Sequence, residues 1–121
     1  MTEPDLDREG WALEDGETYH REAPDTFHIP DLAVRRVLKP GDLAKLIFRI
    51  AVIDDDAPEA VERMWVIVLE CTSSGYIGVL DNEPSSIEVN PIFWRGTLVP
   101  FDYRHIIAVE HGNDESRALV A

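Results

Sequence analysis

Cations are scarce in this chain. Eleven lysines and arginines stand against 24 aspartates and glutamates, a formal net charge of −13. Nucleic-acid recognition needs clustered basic side chains to neutralise phosphate, so the balance argues against it. Anionic membrane surfaces are disfavoured on the same ground. Long apolar runs are missing too, and no stretch approaches the about 20 residues of a membrane helix. Cysteine occurs once, at Cys71. That excludes an internal disulfide and a multi-thiolate metal site. Its place in a strand pattern predicts a buried structural thiol. The start of the chain, Met1 to Asp7, is acidic. A secretory leader begins with positive charge and an apolar stretch, so the cytoplasm is the expected compartment.

Patterns that carry chemistry are equally thin. His20, His28, His105 and His111 are scattered, with no i, i+4 pair of the kind that grips zinc on a helix. Ser73, Ser74, Ser85 and Ser86 sit in turns without a nucleophile-elbow motif. Cys71 and His105 would form a thiol–imidazole pair only if the fold joined them. Gly75 and Gly78 precede no helix start and so form no phosphate loop. Asp54, Asp55 and Asp56 are followed by Ala57 and Pro58, not by the glycine and distal glutamate of a calcium loop. They read as a solvated loop. No catalytic residue, cofactor or metal ion is expected, and the balance leans away from an enzyme.

What is present suits one domain of 121 residues. A chain of this size buries roughly 65% of its unfolded surface, enough for one core. Residues 1–26 form an acidic N-terminal arm that is partly disordered in this reading, with Trp11 and Leu13 docking it on the domain. Residues 27–111 form a single α+β domain, and 112–121 a polar tail. Residues 1–31 hold ten acids against Arg8 and Arg21, so over half the net charge lies in the first quarter of the chain. This charge serves solubility or steers a basic partner.

The domain opens with a short helix from Asp31 to Leu38, ended by Lys39-Pro40-Gly41-Asp42. Leu46, Phe48, Ile50 and Val52 alternate with Lys45 and Arg49, marking a half-buried strand over 44–53. Arg63 to Cys71 is apolar on both faces and predicts a central strand. Tyr76 to Leu80 returns after a polar turn, and Gly78 marks a bulge or tight bend. Residues 85–96 form a long connection packed through Ile87, Val89, Phe93 and Trp94. Pro100 makes 97–101 an edge strand, Asp102-Tyr103-Arg104 turns the chain, and 105–110 closes the sheet. The expected fold is a small, strongly bent antiparallel sheet, or a partly open SH3-like or OB-like barrel, with one short N-terminal helix.

Six residues are candidate binding residues: Glu62, Arg63, Trp65, Asp81, Asn82 and Trp94. Asp81 and Asn82 at a strand end suit a ligand, and they equally tie turns together by bonding nearby backbone. Glu62 and Arg63 read as a site or as a rim ion pair. Trp65 in an apolar strand reads as core, with Trp65→Ala costing roughly 3–5 kcal/mol. Trp94 stays open between core and groove; the proline-bearing edge strand argues against sheet-edge dimerisation, which leaves Trp94 as a contact for a homodimer.

The segments Glu62-Arg63-Met64-Trp65-Val66 and Gly75-Tyr76-Ile77-Gly78-Val79-Leu80-Asp81-Asn82-Glu83-Pro84 resemble those of a family of small bacterial proteins of unknown function, the YegJ-like proteins. A later hydrophobic strand after a glycine turn, Gly96 to Ile107, extends the likeness over about half the chain. Members close with an acidic-Trp-Met-Tyr segment, where this chain has Ile107-Ala108-Val109-Glu110. The resemblance implies a shared fold and no activity. The expectation is a non-enzymatic interaction module that masks a basic partner, as an inhibitor or immunity protein does. The alternative is a small-ligand binder or enzyme with a site near Glu62, Trp65, Asp81 and Asn82.

Overall fold

The computed structural model describes residues 3–52 and 58–120. The Asp54-Asp55-Asp56 loop therefore lies outside the described residues. The elements run α1 (Leu6–Glu9), β1 (Trp11–Leu13), α2 (Gly16–Glu22), α3 (Leu32–Arg35), β2 (Leu43–Ala51), β3 (Glu59–Cys71), β4 (Tyr76–Leu80), β5 (Leu98–Phe101), a 3-10 turn (Tyr103–His105), β6 (Ile106–Glu110) and α4 (Asp114–Val120).

Strands β2 to β5 pair as an antiparallel meander. The last strand, β6, folds back onto the first half of β2, and β1 pairs with the second half. The result is the strongly curled, partly open barrel expected for this α+β chain. Two irregularities bend it. The β2–β6 register shifts between Lys45 and Leu46, leaving Ile107 as the extra residue. The β3–β4 register shifts between Val68 and Glu70, opposite Gly78 and Ile77. Gly78 thus marks a bulge, as its place in mid-strand predicts. A Cβ there would stand 3.0 Å from the Ile67 carbonyl oxygen.

The alternation expected for β2 holds. Ala44, Leu46, Phe48 and Ile50 face the core with Met64, Val66 and Val68 of β3. Aromatic clusters fill its two ends. At one, Trp11 stacks on Phe93 with ring centroids 4.7 Å apart, and Phe48 packs against both. At the other, Tyr76 packs on Phe101 and Tyr103. Trp11 is 5% exposed, so the arm docks through it, with β1 hydrogen-bonded to β2. The polar tail of the sequence reading is a helix, α4, in the structure. Asn113 starts it: its side chain accepts the Ser116 N–H, and its own N–H donates to the Ser116 hydroxyl.

The outer face of the sheet is covered in part. Ile47, Ile67 and Ile107 are buried there. Gly16, the first residue of α2, lies against Ile107 so closely that a Cβ would stand 2.7 Å from its Cγ2. Arg35, at the end of α3, is 5% exposed and locks this layer. Its Nε donates to the Pro30 carbonyl at 2.8 Å, and its Nη1 reaches both Glu17 at 2.8 Å and the Tyr103 carbonyl at 2.7 Å.

Candidate functional site

Of the six residues singled out from the sequence, Glu62, Trp65, Asp81 and Asn82 meet at the corner that follows β4, with their polar groups turned to the protein itself. Glu62 leaves β3 to meet the loop after β4. Its carboxylate accepts the backbone N–H and the hydroxyl of both Ser85 and Ser86. Partial burial works against its charge, but these four donors outweigh it and hold the carboxyl below the ordinary glutamate range. The Asn82 side-chain oxygen accepts the Trp65 backbone N–H. The Asp81 N–H donates to the Trp65 carbonyl at 3.0 Å, so β4 and the corner continue the β3 ladder. The Asp81 carboxylate lies 3.4 Å from the exposed Arg95. The corner is tied by its own polar groups, the structural role that Asp and Asn take in turns.

Trp65 corrects the core reading. It is absent from the buried set and only partly buried on the outer face, because Met64 and Val66 take the inner positions on either side of it. The Lys45 ammonium sits over its ring, 5.6 Å from the centroid. Arg63, on the same face, places its guanidinium 5.1 Å from the centroid of Phe27. A shallow hollow of about 320 Å³ lies here between Phe27, His28, Lys45, Arg63 and Ile107. Trp94 is half-buried in the connection before β5, where its backbone N–H donates to the Thr97 hydroxyl at 2.9 Å. It is not brought next to Trp65's polar neighbours by any of these hydrogen bonds.

Cys71 is exposed, contrary to the buried thiol expected. Pairing between β2 and β3 ends at Leu43 and Ile67, so β3 runs on past its neighbour and Cys71 is covered by β4 on one side only. Its Sγ lies 3.4 Å from the Leu38 carbonyl oxygen.

A larger cleft, about 400 Å³, opens where the β3–β4 turn meets the 3-10 turn. Thr72, Ser73 and Ser74 line one wall; Pro100, Asp102 and His105 line another; Glu3 enters from the arm. Sequence reasoning passed over this place because its residues come from three separate segments. The only local signal was Asp102 three residues before His105. There the Asp102 carboxylate accepts the Arg104 N–H at 2.9 Å, and His105 Nδ1 accepts the Asp102 N–H at 3.0 Å. With Nδ1 accepting, Nε2 carries the proton of the neutral ring and donates to the Glu3 carboxylate at 3.0 Å. Burial and the Arg104 charge pull the His105 pKa down; Asp102 and Glu3 oppose this without cancelling it. Burial also works against the Arg104 charge, yet Asp102, Glu3 and Asp15 together raise its pKa.

Among the described residues no group of three or more His, Cys, Asp and Glu side chains is placed to hold a metal ion. Among them, too, no helix is long and apolar enough to cross a membrane. No protein-family model, no curated protein and no solved structure matches this chain.

Proposed function

We propose that this protein is a non-enzymatic interaction module that takes up a basic protein partner on its acidic arm, in the manner of an inhibitor or immunity protein. The observation that carries the reading is how its few cations are used. Arg35, Arg49, Arg95, Arg104 and Arg117 are each held by carboxylates of the same chain. These pairs take up five of the eleven cations, and with 24 acids in the chain the balance stays strongly anionic. The arm adds direction. With β1 paired to β2, Asp5, Asp7 and Glu9 are carried in exposed positions around α1. Acids fixed on a folded surface steer an oppositely charged partner better than acids on a loose tail, because less ordering is needed on contact.

Exposed apolar side chains supply the short-range part of such an interface. Leu32, Val34 and Val37 stand out around α3, as do Ile92 and, contrary to the packing expected of it, Val89 on the connection before β5. The alternative site around Glu62, Trp65, Asp81 and Asn82 draws less support, since its polar groups are engaged in holding the corner. A cytoplasmic setting and the bacterial origin implied by the family resemblance belong to the same proposal.

The test is capture from native lysate with the full chain at low and moderate salt, read by mass spectrometry. The captured protein is then titrated against wild type and against a triple variant, Asp5→Asn, Asp7→Asn and Glu9→Gln. The expected result is a basic partner whose affinity falls at least about tenfold as salt rises, with a smaller fall for the variant. Binding that ignores both salt and the three substitutions contradicts the reading.

A further inference from the structure

We propose that the cleft beside His105 is a binding site for the carboxylate of a small organic acid, and that Glu3 holds this site as the chain's own occupant. The argument begins with the donors. Arg104 divides its guanidinium: Nε lies 3.3 Å from Asp102 and Nη1 lies 3.7 Å from Asp15. Nη2 is directed to neither, and it lies 3.1 Å from both Glu3 oxygens. Beside it, His105 presents Nε2–H to one of the same oxygens at 3.0 Å. Two donors from adjacent residues thus converge on one carboxylate group.

This constellation is built rather than incidental. The His105 side chain is 2% exposed, and its ring is fixed from behind by the Asp102 N–H. Its Nε2 meets Glu3, which lines the same cleft. A hydrogen bond on the far ring nitrogen sets which nitrogen donates and where it points. The cleft is also larger than its occupant requires. At about 400 Å³ it extends past the Glu3 carboxylate to Thr72, Ser73 and Ser74, whose hydroxyls can bind the rest of a polar ligand. Glu3 itself comes from 102 residues away in sequence, and its side chain remains half exposed. It has the chemistry of a tethered ligand: a carboxylate delivered from the arm, which a free carboxylate must displace. Tethering raises its effective concentration, so the free ligand binds more weakly to the intact chain than to one lacking the Glu3 carboxylate.

The test uses acetate as the probe, added to the full-length protein at constant ionic strength with chloride as the balancing anion. The readout is the ring ¹⁵N and ¹H signals of His105 by nuclear magnetic resonance. In Glu3→Ala, acetate is expected to shift the Nε2 signal saturably, with at least about tenfold weaker apparent binding in wild type. Glu3→Ala combined with Arg104→Gln is expected to lose the response. A saturable shift absent from Glu3→Ala, an equal response in wild type, or the same shift from chloride alone overturns the proposal. Should Glu3→Ala fail to fold, Glu3→Gln keeps the side chain without its charge, and a wild-type-like response from that variant overturns it equally.

Discussion

His105 is a buried imidazole that the fold keeps neutral, and this has a consequence for stability. Its pKa in the folded protein is lowered, first by burial. The unfolded chain, with an ordinary value of about 6.5, therefore takes up the proton at higher pH than the folded one. The contribution is fully present above that value and is lost as pH falls from about 6.5 toward the folded pKa. Melting temperature is expected to decline over this window in wild type and to decline less in His105→Gln. Equal slopes in the two proteins would contradict the burial argument. Glu62 behaves as a second, more acidic case: its folded pKa is lowered, so its contribution is present above the unfolded value and is lost as pH falls through the folded one. Asn82 gives the plainest residue-scale prediction. Asn82→Ala leaves the Trp65 N–H without its side-chain acceptor and is expected to cost about 1–2 kcal/mol in denaturant unfolding. No loss would mean that the corner does not hold the strand. Trp65→Ala, by contrast, is expected to fall below the about 3–5 kcal/mol of a core tryptophan, since the residue is only partly buried. Its misplacement in the sequence reading has a physical cause. A strand apolar on both faces gives no alternation by which to choose the inner one, and burial then depends on which neighbours cover each face.

At the scale of elements, the strands were legible and the short helices less so. Alternation in β2, the return strand β4, the proline edge β5 and the closing strand β6 all stand where the pattern put them. Helix α3 spans only Leu32–Arg35, shorter than the segment its apolar spacing suggested, and Arg35 is buried for its hydrogen bonds. Helices α1 and α2 are too short to show periodicity, and their signal lay in caps instead. Asp5 accepts the Asp7 N–H and Asp15 accepts the Thr18 N–H. The turn between β3 and β4 shows how tightly the elements meet at the cleft. A Cβ on Gly75 would run into the Phe101 carbonyl oxygen and stand 2.7 Å from Asp102 Cα. Both obstacles are backbone, so neither can swing aside. Gly75→Ala is expected to cost about 2–3 kcal/mol in thermal or denaturant unfolding. A neutral substitution would show that the turn does not sit against the end of β5.

For the whole molecule, charge was the most legible property and the cleft the least. Acid excess is a sum over residues and needs no fold. A cleft assembled from Glu3, the 72–74 turn, Asp102 and His105 exists only after β3, β4, β5 and the arm have met. The fold also changes what the charge means. It gathers five of the nine arginines into internal pairs and sets the acidic arm on a docked strand, so the acids of the arm have a fixed place. An electrostatically steered partner is sensitive to ionic strength chiefly in its association rate. The most direct test of the central claim is therefore the association rate constant of the captured basic partner, measured by stopped flow across a salt series. A steep fall with salt, with dissociation nearly constant, is the predicted result. An association rate that does not change with salt would contradict the account.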